Sequence, residues 1–188
     1  MKIAITGGIG SGKSYVCREL ERHGIAVYDC DAAAKRLMRC DEALRRSLIS
    51  LVGEDVYQGC TLQKAVLASF LLASEENKQA VNEVVHPAVA LDFERSGADW
   101  LESAILYDSG FIRRTHFDRV VCVTAPLSVR LERIMRRDHV DRQKAMAWIE
   151  AQMPQSDVLA MSDYEVVNDG MTDVAAQVES LLAKLSEE

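Results

Sequence analysis

The sequence contains no run of 18 apolar residues, so no segment of it reads as a membrane-spanning helix. It also lacks an excess of positive charge. Its 22 basic residues face 29 acidic ones, and the net charge of −7 argues against broad nucleic-acid binding. Any anion site must therefore be a local basic patch. The five cysteines, Cys17, Cys30, Cys40, Cys60 and Cys122, are odd in number and never closer than ten residues. That spacing offers neither a disulfide framework nor a zinc pair, and the thiols read as reduced core residues. Met1-Lys2 leads straight into an apolar run without the long apolar stretch of a signal peptide, so a soluble, cytoplasmic protein is expected. No repeat, low-complexity tract or linker stands out. For 188 residues, one domain with a sub-domain or lid is the expectation.

What is present is organised around Gly7-Gly8-Ile9-Gly10-Ser11-Gly12-Lys13-Ser14, which fits the phosphate-binding loop pattern G-x-x-x-x-G-K-[ST]. Glycines let the backbone take positive φ and wrap closely, so that successive amides point inward at phosphate oxygens. Gly8, Gly10, Ser11, Gly12, Lys13, Ser14 and Tyr15 are the candidate nucleotide-binding residues. Lys13 adds a mobile charge at the β and γ phosphates and is a candidate catalytic group. Ser14 offers a hydroxyl to Mg²⁺ at the first turn of a helix, whose dipole favours the anion. The context agrees: Lys2 to Thr6 reads as a buried strand, and Tyr15 to His23 as a helix with Val16 and Leu20 one turn apart.

A second strand, Ile25 to Tyr28, ends in Asp29-Cys30-Asp31. Carboxylates two apart at a strand end point the same way, above the edge where open α/β sheets bind ligands. Asp31 is also placed to cap a helix over Ala32 to Arg39. From Asp41 to Gly97 the pattern is helical, with no convincing strand and a turn at Gln58-Gly59. Such an insertion is too long for a plain crossover and reads as a helical sub-domain covering a second substrate. Near its end, Pro87 is expected to push His86 out of the helical region, leaving it at a break between two helices.

A third strand lies within Trp100 to Tyr107, and Glu102 or Asp108 could order magnesium-bound water. Arg119 to Thr124 is a continuous apolar run of the kind buried on both faces of a parallel sheet. The helix Leu127 to Arg137 begins after Pro126. Its expected buried stripe is Leu127, Leu131, Ile134 and Met135, with Arg130, Arg133 and Arg137 on another side. These arginines belong to a basic island in an acidic chain, and fixed positive charge that closes over a γ-phosphoryl is what phosphoryl transfer needs. A helix over Asp141 to Gln152, a polar stretch Met153 to Asp163, a strand Tyr164 to Val167 and a last helix Thr172 to Lys184 complete the chain. Asn168-Asp169-Gly170, after that strand, is a turn on which an adenine edge could rest.

Five strands alternating with helices predict a three-layer α/β fold with a five-stranded parallel sheet, an inserted helical substrate domain and a lid. The expected divisions are a core of about 1–40 and 98–188, an insertion of about 41–97 and a lid of about 136–157. Guanine-specific switches usually carry N-K-x-D after a strand, and Asn168-Asp169-Gly170 has no lysine. The short chain, the helical insertion and the basic island favour a small-molecule kinase.

TGGIGSGKS (Thr6 to Ser14), DCD (Asp29 to Asp31), VVHP (Val84 to Pro87), RIMRRD (Arg133 to Asp138), Ala151-Gln152 and VVNDG (Val166 to Gly170) together resemble the dephospho-coenzyme A kinase family, nearly end to end. The resemblance implies transfer of the γ-phosphoryl of ATP, with Mg²⁺, to the ribose 3′-hydroxyl of dephospho-CoA. It implies Asp31 as the base that takes the hydroxyl proton, with Lys13 and Arg137 as the other catalytic groups. Asp29, His86 and Arg133 become acceptor-side candidates, and Asn168 a nucleotide-side one. Small molecules are the implied partners, with neither nucleic acid nor membrane. Where the family often shows D-x-P-L-L-F-E, this chain runs from Glu102 to Asp108, keeping the acids at both ends and losing the proline. Another small-molecule P-loop kinase, acting on a nucleoside or nucleotide, is the alternative.

Overall fold

The computed structural model describes residues 1–187 and divides into two compact units, Met1–Tyr28 with Ala98–Glu188, and Asp29–Gly97. In chain order, β1 (Ile3–Thr6), α1 (Lys13–Arg22) and β2 (Val27–Asp29) come first. Then follow α2 (Cys30–Cys40), α3 (Glu42–Val52), β3 (Tyr57–Gln58), β4 (Thr61–Leu62), α4 (Lys64–Ala73) and α5 (Glu75–Ser96). The chain continues with β5 (Trp100–Glu102), β6 (Arg119–Thr124), α6 (Leu127–Asp138), α7 (Arg142–Glu150), α8 (Gln155–Ala160), β7 (Tyr164–Val167) and α9 (Val174–Ser186). No helix among the described residues is long and apolar enough to cross a membrane.

The first unit is built on a five-stranded sheet of order β2-β5-β1-β6-β7. β1 runs parallel to β5 and β6, and β6 parallel to β7. All of β1 and Val120 to Thr124 of β6 are buried, as strands covered on both faces must be. Ile3, Ile5, Val121, Val123 and Val166 form a core with Val16 and Leu20 of α1 and Val174, Val178, Leu181 and Leu185 of α9. The strand order reverses direction around β1, the topological switch point where open sheets of this kind bind ligands at their carboxyl edge. The registers Ile5↔Glu102, Thr6↔Cys122 and Thr124↔Val167 bring the ends of four strands to that edge together.

Two stretches of this unit gain definition. The third strand stops at Glu102, because the Ser103 hydroxyl accepts the amide of Ile105 and the chain turns through Gly110, whose φ is +64°. Within the polar stretch Met153 to Asp163, α8 forms, with Pro154 immediately before it, where a missing N–H costs no helical bond.

In the second unit α2, α3 and α4 pack against α5. Caps mark the helix starts: Asp41 accepts the amide of Leu44 at 2.7 Å for α3, and Ser74 that of Asn77 at 3.1 Å for α5. Asp29, not Asp31, caps α2, accepting the amide of Ala32 at 2.9 Å. Asp31 therefore lies in the first turn of a helix, and the alternation of a strand does not relate the two carboxylates. The segment also contains a short ribbon, β3 antiparallel to β4, closed by the turn at Gly59 (φ +59°).

The expected break at His86-Pro87 is absent, since α5 runs through it for 22 residues. Val81, Val85, Val89 and Phe93, four apart, form one buried stripe on both sides of the proline. Burial of that stripe holds the helix across a residue that removes one backbone bond, while Pro87 itself faces solvent. Replacing an exposed interior proline by alanine restores the bond to the carbonyl four residues back. Pro87→Ala is expected to stabilise the protein by about 2 kcal/mol, read as a higher urea midpoint by circular dichroism. An unchanged or lower midpoint would show that the proline is accommodated without cost.

Candidate active site

The loop after β1 turns sharply at glycines with positive φ: Gly7 at +142°, Gly10 at +80° and Gly12 at +91°. Each also lies too close to its surroundings to carry a Cβ. One on Gly7 would fall 2.3 Å from the Val123 carbonyl oxygen, and one on Gly12 would fall 2.1 Å from the Asn168 amide nitrogen. Lys13, nearly buried, donates from Nζ to the Gly7 carbonyl at 2.9 Å, and its Nζ lies 3.6 Å from a Glu102 carboxylate oxygen. Ser14 and Tyr15, at the start of α1, are exposed.

A loop whose amides face a ligand turns its carbonyls the other way, and those need donors. The following strands and helices supply them. Arg133 of α6 donates from Nη1 to the carbonyls of Gly10 at 3.3 Å and Ser11 at 3.1 Å. Its Nη2 donates to Asn168 Oδ1 at 3.1 Å, and Asn168 Nδ2 in turn donates to the Ser11 carbonyl at 3.1 Å. Arg130 donates from Nε to the Ile9 carbonyl at 2.9 Å. Ile9 gives its own amide to Gln152 Oε1, just beyond α7, at 2.7 Å. The loop is thus held from behind by three side chains of α6 and β7's end, and from one flank by Gln152.

Burial dominates the electrostatics beneath the loop. Cys122 on β6 has its thiol pushed up to about 11, chiefly by burial and then by the Glu165 carboxylate, against the opposing pull of Lys13 and Arg130. It stays a neutral thiol at any physiological pH. Burial also holds the Arg130 guanidinium below its ordinary range.

The candidate residues do not share one environment. Gly8, Gly10, Ser11, Gly12, Lys13, Ser14, Arg133 and Asn168 meet at the loop in the first unit. Asn168 is buried, its amide engaged with loop carbonyls and Arg133. Arg137 stands at the end of α6 with its exposed guanidinium on the adjacent Asp138 carboxylate, at 2.7 Å from Nη2. Asp108 lies apart from Lys13's pair with Glu102, accepting the amide of Met153 at 3.4 Å. Asp29, Asp31 and His86 belong to the second unit, the first two at the start of α2 and His86 half-buried on α5.

The expected stripe of α6 is corrected as well. Leu127 is exposed, Met135 is half-buried, and Arg130 is buried beside Leu131 and Ile134. A signal for this stood in the sequence: positions 127, 130, 131 and 134 follow helical spacing, so a charge at 130 falls within an apolar stripe. For Gln152 the signal was its place in the Ala151-Gln152 pair, while its contact with the Ile9 amide had no periodicity to mark it.

The dephospho-CoA kinase family model matches residues 1–173. The chain is 40% identical to a dephospho-CoA kinase of Bacteroides fragilis over 192 residues, covering 98% of this chain and 93% of the relative. A solved structure from Thermus thermophilus superposes with a TM-score of 0.79 at 32% identity, covering 100% of this chain and 97% of that one. A dephospho-CoA kinase from Campylobacter jejuni shares the fold at a TM-score of 0.68 and 18% identity, over 100% and 98% of the two chains.

If Asn168 is a support for the loop, Asn168→Ala leaves the Ser11 carbonyl and the Arg133 guanidinium short of partners. The ligand-free protein is then expected to lose about 1–3 kcal/mol, seen as a fall of several degrees in Tm. An unchanged Tm with weakened nucleotide binding would return Asn168 to a role at the adenine edge.

Proposed function

The chain belongs to the dephospho-CoA kinase family, and from that membership we infer that it transfers the γ-phosphoryl of ATP to the ribose 3′-hydroxyl of dephospho-CoA, giving CoA and ADP, the last step of coenzyme A biosynthesis. The observation that carries the reading is the loop itself: a lysine-bearing turn at the switch point of a parallel sheet, its carbonyls already held and the amides of its glycines and of Lys13 and Ser14 left for phosphate.

Each residue then has a defined role. The amides of Gly8, Gly10, Gly12, Lys13 and Ser14 bind the phosphates, those of Ile9, Ser11 and Tyr15 being engaged within the protein. Lys13, bonded to the Gly7 carbonyl, serves the β and γ phosphates. The Ser14 hydroxyl, exposed at the first turn of α1, suits Mg²⁺, a cation usually held by few protein groups together with substrate phosphates. Mg²⁺ bound there supplies neutralisation of phosphate charge. Glu102, at the end of β5 and beside Lys13, is better placed than Asp108 to orient its water.

Asp31 accepts the proton of the attacking hydroxyl. Its carboxylate has no protein partner among the described residues, whereas that of Asp29 is engaged in capping α2 and orients the acceptor. His86 lies on the acceptor side. Arg133 contributes there through the loop it holds, and Arg137 leaves Asp138 to meet the charge that develops on the transferred group. The core, the helical insertion and a lid at about residues 136–157 divide the work between donor, acceptor and closure. A net charge of −7 supports the absence of a nucleic-acid partner, and the enzyme is proposed to be cytoplasmic.

Purified protein with ATP, Mg²⁺ and a panel of acceptors tests the reading: dephospho-CoA is expected to be phosphorylated, and nucleosides and nucleoside monophosphates are not. Failure with dephospho-CoA alongside turnover of a nucleotide would replace this function by the other kinase activity. Asp31→Asn is expected to lower kcat about 10²–10⁴-fold while ATP still binds. A near-normal kcat would remove Asp31 from the mechanism.

A further inference from the structure

Arg130 is a charge in a place that does not favour one. It is 6% exposed, in the middle of α6, flanked by the buried Leu131 and Ile134. Its Nε donates to the Ile9 carbonyl, but Nη1 and Nη2 have no protein partner among the described residues, and both nitrogens still reach the accessible surface. No carboxylate among those residues pairs with it. A buried guanidinium with unspent donors and no counter-charge is costly unless something else supplies the anion.

The direction of the side chain shows where that anion belongs. The guanidinium fills the space beside Gly8 that a side chain would take: a Cβ on Gly8 would lie 2.3 Å from Nη2 and 2.8 Å from Cζ. Gly8 has no positive φ, so here it is the arginine, and not the backbone, that demands glycine. The neighbouring Gly7 carbonyl holds Lys13 Nζ, and both cations act on the same Cys122 thiol from above. Lys13 and Arg130 thus flank the Gly7-Gly8 end of the loop.

We propose that Arg130 is a phosphate-binding residue, a second cation beside Lys13 whose Nη1 and Nη2 donate to the terminal phosphate of the bound nucleotide. The proposal rests on the reading that this loop holds ATP. It gives the three arginines of α6 different roles, since Arg133 is spent on loop carbonyls, Arg137 waits at the surface, and Arg130 is already in position before any closure. A planar guanidinium whose Nε is fixed by a carbonyl presents its remaining donors in a set direction, which a flexible lysine does not.

Calorimetric titration with ATP and with AMP, together with thermal unfolding of the ligand-free protein, tests this on Arg130→Gln and Arg130→Lys. For Arg130→Gln, whose Nε2 can take the place of the arginine Nε on the Ile9 carbonyl, the expected result is ATP binding weakened at least about tenfold, AMP binding unchanged within twofold, and a ligand-free Tm equal to or above wild type. Arg130→Lys is expected to recover part of the ATP affinity. A lower Tm with ATP and AMP affected in parallel, or with neither affected, makes Arg130 a structural support and overturns the proposal. If Arg130→Gln does not fold, Gly8→Ala serves instead, because its methyl displaces the guanidinium. It should weaken ATP more than AMP, and equal loss of both overturns the proposal. Wild-type protein that binds no ATP at all would overturn the nucleotide reading and this inference with it.

Discussion

Everything in the first unit depends on one requirement of the loop between β1 and α1: for its amides to face an anion, its carbonyls must be satisfied on the other side. Gly7, Gly10 and Gly12 make the reversal possible, but glycine gives freedom and not order. Order comes from Arg130, Arg133 and Asn168, which bond the carbonyls of Ile9, Gly10 and Ser11. These side chains are remote in sequence and adjacent in space because β6 and β7 pair in parallel alongside β1. The sheet order is therefore part of the binding site.

The same arrangement concentrates positive charge in an acidic protein. Lys13, Arg130 and Arg133 converge on the loop, and the Glu102 carboxylate near Lys13 offsets part of that charge in the absence of phosphate. Cys122, lying beneath the cations, could in principle have become a thiolate and taken up the role of anion. Burial and the nearby Glu165 carboxylate prevent it, raising the thiol to about 11 in spite of Lys13 and Arg130. The positive charge at the loop is left for a ligand.

Much of this was legible from the residues. The loop, the two long buried strands and the last helix were defined by glycine spacing, continuous apolar runs and a four-residue repeat, all local signals. Where long-range packing overrides local preference, local reading fails. Pro87 has every local reason to break a helix, yet the stripe Val81, Val85, Val89 and Phe93 carries α5 through it. Asp29 and Asp31 looked like neighbours on a strand, but two residues of difference in where α2 starts make the first a cap and the second a first-turn residue. The arginines of α6 were visible as a basic island. Their separation into loop contacts and a surface pair follows from which face of the helix meets the loop, and that depends on residues more than a hundred positions away.

The acceptor-side candidates Asp29, Asp31 and His86 are carried by the helical unit, in which α2, α3 and α4 pack against α5. Donor binding thus depends on the first unit, and what distinguishes it is a loop ordered before phosphate arrives. Backbone ¹⁵N relaxation of the ligand-free protein tests this most directly. Amides of Gly10, Ser11 and Gly12 are expected to show order parameters near those of the rigid core, about 0.85, and to fall in the Asn168→Ala protein. Values below about 0.6 in the wild type would contradict preorganisation and leave the phosphate itself as the agent that shapes the loop.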